Sequence, residues 1–143
     1  MQTKEVEIMM DKMRWSTIFL LIGDWLALGL FVFLGQLDHE MIGANPLPRL
    51  LRTTAEIGLP WTTVALLWGA YKLSPDMTTR TFFGRSLTAW LVAVPLALLL
   101  RAYLHGQGAI IVIFMVVTMG LGGAFLLIWR GLYFLTWHRF GKN

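Results

Sequence analysis

The stretch that decides the fold is STIFLLIGDWLALGLFVFLGQ, residues 16–36, an apolar run broken by a single charge, Asp24. At 1.5 Å per residue a helix over these positions reaches about 30 Å, the thickness of the hydrocarbon core of a bilayer. A helix apolar on all sides and this long is predicted to cross a membrane.

Working outward, three further apolar segments have comparable length: 54–71, with Glu56 at its start and Pro60 in its first turns; 86–104, with Pro95 in its middle and Arg101 near its end; and 109–129, followed by the interfacial aromatics Tyr133, Phe134 and Trp137. Pro46 and Pro48, then Pro75, then Gly106 and Gly108 break the connections between them. Residues 1–15 mix Lys4, Lys12 and Arg14 with Glu5, Glu7 and Asp11, a polar or amphipathic lead-in expected at the membrane surface. They are not expected to form a cleavable signal, because the apolar run after them is long, holds Asp24 and lacks a small-residue cleavage pattern. The expected fold is therefore all-α, four transmembrane helices within residues 16–137 and a tail at 138–143.

Four spans would put Lys4, Lys12, Arg14, Lys72, Arg80, Arg85, Arg130, Arg139 and Lys142 on one side and Arg49, Arg52 and Arg101 on the other, nine of the twelve basic residues against three. The positive-inside bias then predicts both termini in the cytoplasm and the chain in the cell (inner) membrane.

Composition agrees with a lipid-embedded chain. Of 143 residues 57% are hydrophobic and 14% charged, against roughly 45–50% and about 25% in soluble domains. With no cysteine, disulfides and thiolate metal sites are excluded. The net charge of +4 sits at the segment ends rather than along one polar face, which argues against nucleic acid.

Few residues could carry chemistry. Asp24 is costly inside an apolar span, so something must stabilise it. Counting depth along each segment brings it level with Thr62 and Thr63, Pro95, and Gly120 to Gly123. A proton or small-ligand site and a helix-gluing hydrogen bond are both open readings there. Arg101 continues the row Ala89, Ala93, Ala97 at four-residue spacing. It either pairs with Glu56, snorkels to the outer interface, or forms an anion site. His39 and His105, with Trp25 and Trp68, are the candidates for ligand or pigment contact, although Asp38, His39 and Glu40, adjacent on a loop, do not converge on a metal by themselves. Gly23 with Ala27, Ala65 with Gly69, and Gly120 with Ala124 have the spacing of close helix contacts in lipid. Phosphate loops, hydrolase triads and zinc-protease motifs are absent.

Several stretches together carry a resemblance: Gly23-Asp24, Leu26-Ala27, Phe31, Gly35 and His39; Pro60; Pro95 with Leu99-Leu100-Arg101-Ala102; and Trp129-Arg130. On these the chain resembles an uncharacterised family of four-helix integral membrane proteins of bacteria and archaea, catalogued as domain of unknown function 3054. The resemblance covers most of the chain and implies four spans and attention to Asp24, His39 and Arg101. It implies no substrate.

The expected function is that of a non-catalytic accessory or structural subunit of a larger membrane complex, respiratory or photosynthetic in type. The alternative is a small oligomeric transporter or channel with Asp24 as its proton or cation site. No enzyme activity, metal or cofactor is expected, while a lipid, quinone or pigment between helices is compatible with either reading. Expected partners are membrane lipids and other transmembrane helices, in a hetero-complex or a homo-oligomer, with no nucleic acid.

Overall fold

The computed structural model describes residues 1–38, 45–106 and 112–140. They form four helices. The first, α1, runs unbroken over Gln2–Asp38. No proline interrupts it, and Gly23, Gly29 and Gly35 stand singly, so residues 1–15 are not a separate element but continue the same helix. Its 37 residues extend about 55 Å, well beyond one hydrocarbon thickness.

The second helix, α2, spans Pro46–Leu67, with prolines in its first turn where a missing N–H does no harm. It ends in a reversal at Gly69, whose φ of 73° suits glycine. The third, α3, covers Thr79–Leu104 and is capped by the Thr78 hydroxyl, which accepts from the Thr81 N–H at 3.3 Å. The last, α4, runs Val112–Phe140, with a π-helical turn at Thr118–Gly122.

Three of these helices, α1, α3 and α4, are long and apolar enough to cross a membrane. The fourth is not. The expectation of four transmembrane helices, with a span at 54–71, is overturned by α2: it starts at Pro46, carries Arg49, Arg52 and Glu56 together with four threonines, and has stopped by Leu67. The other boundaries moved too, because α4 continues as helix eleven residues past Trp129, to Phe140.

Each helix packs antiparallel against the next, and α4 returns to α1, so that the contacts close a ring α1–α2–α3–α4, across whose α2–α4 diagonal the described helices meet through side chains rather than backbone. The first turns of α1, the turn after α2 and the last turns of α4 meet at one end, around Ile8, Pro75 and Trp137. The interior holds Leu20, Leu28, Trp61, Trp90, Val94 and Leu126. Large apolar side chains also point outward, among them Leu26, Leu67, Ile128 and Leu132. Outward leucines on helices of this length are what hydrocarbon solvent asks for, and the chain is a multi-pass helical membrane protein.

Glycine lets aromatic rings reach the backbone at two seams. A Cβ on Gly23 would lie 1.8 Å from the Trp129 ring, so α1 meets α4 only because that atom is missing. A Cβ on Gly123 would lie 2.7 Å from Trp90 Nε1. At the same place the π turn frees the Met119 carbonyl, which accepts from Trp90 Nε1 at 3.0 Å. Ala89, Ala93 and Ala97 face inward as a row, whereas Gly120 and Ala124 face outward and Ala27 is half-buried.

Two outcomes follow for stability in detergent micelles. Gly23→Ala should lower the thermal midpoint, with a cost of about 1–3 kcal/mol from overpacking against Trp129. Thr118 is fully buried and its hydroxyl has no partner, so Thr118→Val should raise the midpoint, by about 1 kcal/mol of stability.

Candidate functional site

Asp24 lies two-thirds along α1, on its inward face, and is fully buried. A carboxylate there needs donors, and three side chains supply them. Arg130 of α4 gives its Nε at 3.1 and 3.2 Å to the two carboxylate oxygens and its Nη2 at 2.7 Å to Oδ2. Trp61 of α2 donates from Nε1 at 3.1 Å to Oδ2. The Tyr71 hydroxyl, in the turn after α2, donates to the same oxygen. All of these partners donate, and the Asp24 oxygens accept from each of them.

Arg130, also fully buried, is satisfied from every side. Its Nη1 donates to the Ser86 hydroxyl of α3 at 2.9 Å and to the Ala70 carbonyl at 3.0 Å. Ser86 in turn donates to the Phe82 carbonyl at 2.9 Å. The Ala70 carbonyl is available because α2 has ended and the chain reverses at Gly69. Around the guanidinium stand the rings of Tyr71 at 4.8 Å, Trp61 at 4.9 Å and Phe82 at 5.7 Å from Cζ. This aromatic box supplies cation–π attraction that is strongest where water is excluded. Burial, and after it the Asp24 carboxylate, push the Tyr71 phenol above its ordinary range, so it stays a neutral donor.

A second polar cluster lies toward the opposite end, around Glu56. Arg101 Nη1 reaches its Oε2 at 2.7 Å, while Arg52 Nε at 3.2 Å and His105 Nε2 at 2.9 Å share its Oε1. Arg101 also lies 5.3 Å over the Phe114 ring, which ties α3 to α4. Glu56 is nearly closed off, but its three partners are partly open, so water screens this cluster far more than the first.

The other candidates scatter. Trp25 donates to the Thr62 hydroxyl at 3.0 Å and lies against Gly58, so it packs α1 on α2 rather than facing an open site. Trp68 is half-exposed in the turn after α2. His39 lies outside the described residues. Thr62 is one residue from Trp61 but bonds Trp25 and the Gly58 carbonyl; Thr63 points outward and bonds the Leu59 carbonyl. At the depth of Asp24 the residue supplied by α3 is Ser86 rather than Pro95, and the one supplied by α4 is Arg130 rather than Gly120 to Gly123. The depth count slipped because α3 starts earlier and α4 ends later than the apolar runs suggest.

Sequence reasoning placed Arg130 on the basic rim and did not single out Tyr71, Trp61 or Ser86. One signal was available. The run Gly131-Leu-Tyr-Phe-Leu-Thr-Trp137 continues apolar past Arg130, which puts this arginine inside a hydrophobic helix and makes it the natural counter-ion for Asp24.

A closed ion pair of this kind fixes helix positions. Removing one partner leaves a charge stranded in the interior, at a cost of about 3–5 kcal/mol, whereas replacing both by apolar groups of similar volume is far milder. Asp24→Leu or Arg130→Met alone should therefore abolish a cooperative thermal transition in micelles or lower its midpoint steeply, and the double variant should recover most of the loss. A double variant destabilised by the sum of the two single losses would show that the pair contributes no coupling.

No curated protein and no solved structure matches the chain. A family profile does, over residues 21–133, and its description reads Protein of unknown function (DUF3054). The matched segment includes Asp24, Trp61, Tyr71, Ser86 and Arg130, the whole of the buried cluster. The chain belongs to this uncharacterised family, DUF3054.

Proposed function

We propose that this membrane protein is a non-catalytic structural subunit that docks into a larger membrane complex. The observation that carries this reading is the state of Asp24: every hydrogen bond made to it comes from a donor within the chain, and it is wholly buried. A carboxylate that carries protons or cations needs a route to solvent and a changeable set of partners. This one has a fixed counter-ion instead. Among the described residues no three His, Cys, Asp or Glu side chains gather to hold a metal.

Outward-facing small residues supply the docking surface. Gly120 has open space where a side chain would stand, and Ala124 is exposed one turn later on α4. Small residues facing lipid allow a partner helix to approach closely. The positive-inside bias favours the cytoplasmic side for both ends of the chain, which lie at the same end of the ring. Arg130 is internal and drops out of the count, so nine basic residues become eight against Arg49, Arg52 and Arg101.

Purification in mild detergent tests the docking reading. The protein should co-migrate with other polypeptides, and Gly120→Leu with Ala124→Trp should release it as a folded monomer. Migration alone in the unaltered form, or ion uptake into proteoliposomes that vanishes in Asp24→Asn, would replace this function by transport or by a solitary role. Sidedness is checked separately, since the chain has no cysteine of its own. Asp76→Cys should resist a membrane-impermeant thiol reagent in intact cells, and Tyr103→Cys, at the other end of α3, should react.

A further inference from the structure

Two hollows lie along the outer face between α1 and α4. One is almost wholly apolar and runs over Ile22, Leu26 and Ile128; the other opens toward the chain ends and includes Lys12 and Thr136. Phe19, Trp129 and Leu132 line both, so they form one continuous groove. We propose that this groove seats one anionic phospholipid, with an acyl chain along Leu26 and Ile128 and the headgroup phosphate at Lys12.

Length, polarity and charge all fit that occupant. From Leu26 to Lys12 is fourteen residues of α1, or about 21 Å. That matches one hydrocarbon leaflet of about 15 Å and the start of the headgroup region. Polarity changes along the groove in the same sense as along a lipid, with apolar walls at depth and hydroxyls and an ammonium at the rim. Around Ser16 the hydroxyls already satisfy one another: the Ser16 and Tyr133 side chains are hydrogen-bonded, and Thr136 donates to the Leu132 carbonyl. Lys12 is exposed and makes no ion pair among the described residues, which leaves its ammonium to meet an anion. Glu5 faces Lys12 across the adjoining hollow. With Glu7, Asp11 and Asp76 it tempers the field at this end, but Lys4, Arg14, Lys72, Arg80, Arg85 and Arg139 outnumber these carboxylates, so the balance stays basic. A phospholipid with a net negative head matches both the apolar floor and the cationic rim, and it would border a helix docked at Gly120, because Ala124 also lines the deep end of the groove.

The seat is tested by native mass spectrometry of the full chain in mild detergent, titrated with phosphatidylglycerol and phosphatidylcholine of matched acyl chains. One phosphatidylglycerol should be retained in preference to phosphatidylcholine. Lys12→Ala should cut that preference about fivefold, the worth of one lysine near an anionic surface. Ile128→Trp, which fills the apolar floor, should reduce retention of both lipids. Lys12 is on the surface, so its variant keeps the fold, and circular dichroism checks this. Equal retention of the two lipids overturns the proposal, as does a phosphatidylglycerol preference that survives Lys12→Ala. A lipid-free dimer also overturns it, by placing a second copy in the groove.

Discussion

A guanidinium with no access to solvent sets the terms for this structure. Arg130 cannot shed its proton, so its charge must be answered wherever α4 carries it. The answer comes from the rest of the ring: a carboxylate of α1, a hydroxyl of α3, a carbonyl just past the end of α2, and three aromatic rings. Because these partners come from separate segments, the pair does not simply add stability. Sliding any helix by one turn, about 5.4 Å, would strand a charge in the interior. Apolar packing in lipid is nearly indifferent to such slips, and the buried pair supplies the discrimination that leucine contacts lack.

The same logic explains how α2 fits into a membrane protein without being apolar enough to span by itself. Several of its polar side chains are turned inward and hydrogen-bonded, although Arg49, Arg52 and Thr63 face outward. Trp61, and Tyr71 beyond its end, bind Asp24; Thr62 receives Trp25; Glu56 gathers Arg101 and His105. The three apolar helices provide most of the outward apolar surface, while α2 adds Leu47, Leu51, Leu59 and Leu66 to it and turns Trp61, Thr62 and Glu56 toward the other helices. The two polar levels differ in kind. The Asp24 level is sealed and rigid, while the Glu56 level is partly open and shares one carboxylate oxygen between Arg52 and His105.

Glycine and tryptophan divide the close packing between them. Gly23 takes the Trp129 ring, Gly58 takes Trp25, and Gly122 and Gly123 take Trp90 beside the π turn. Of the inward tryptophans, Trp61, Trp25 and Trp90 direct their indole N–H groups at a carboxylate, a hydroxyl and a carbonyl, whereas the buried Nε1 of Trp129 has no partner among the described residues. What remains outside is apolar and, on one face of α4, small.

Several features were legible in the residues themselves. The helical membrane class, the antiparallel order and the anomaly of Asp24 follow from where charges interrupt apolar runs, because hydrocarbon penalises each such interruption locally; the pairing of Arg101 with Glu56 is one of three readings the sequence leaves open, and the structure decides it. The number of spans and the identity of the Asp24 partner do not follow in that way. Hydrophobicity is a property of one segment, and it could not tell that α2 turns Glu56 inward or that Arg130 lies inside rather than on the rim. Those facts depend on which side chains from distant segments meet, 106 residues apart for Asp24 and Arg130. Sequence by itself determined that buried charge had to be answered; only the tertiary structure decided by what, since the answer is a distance between helices and not a property of any one of them.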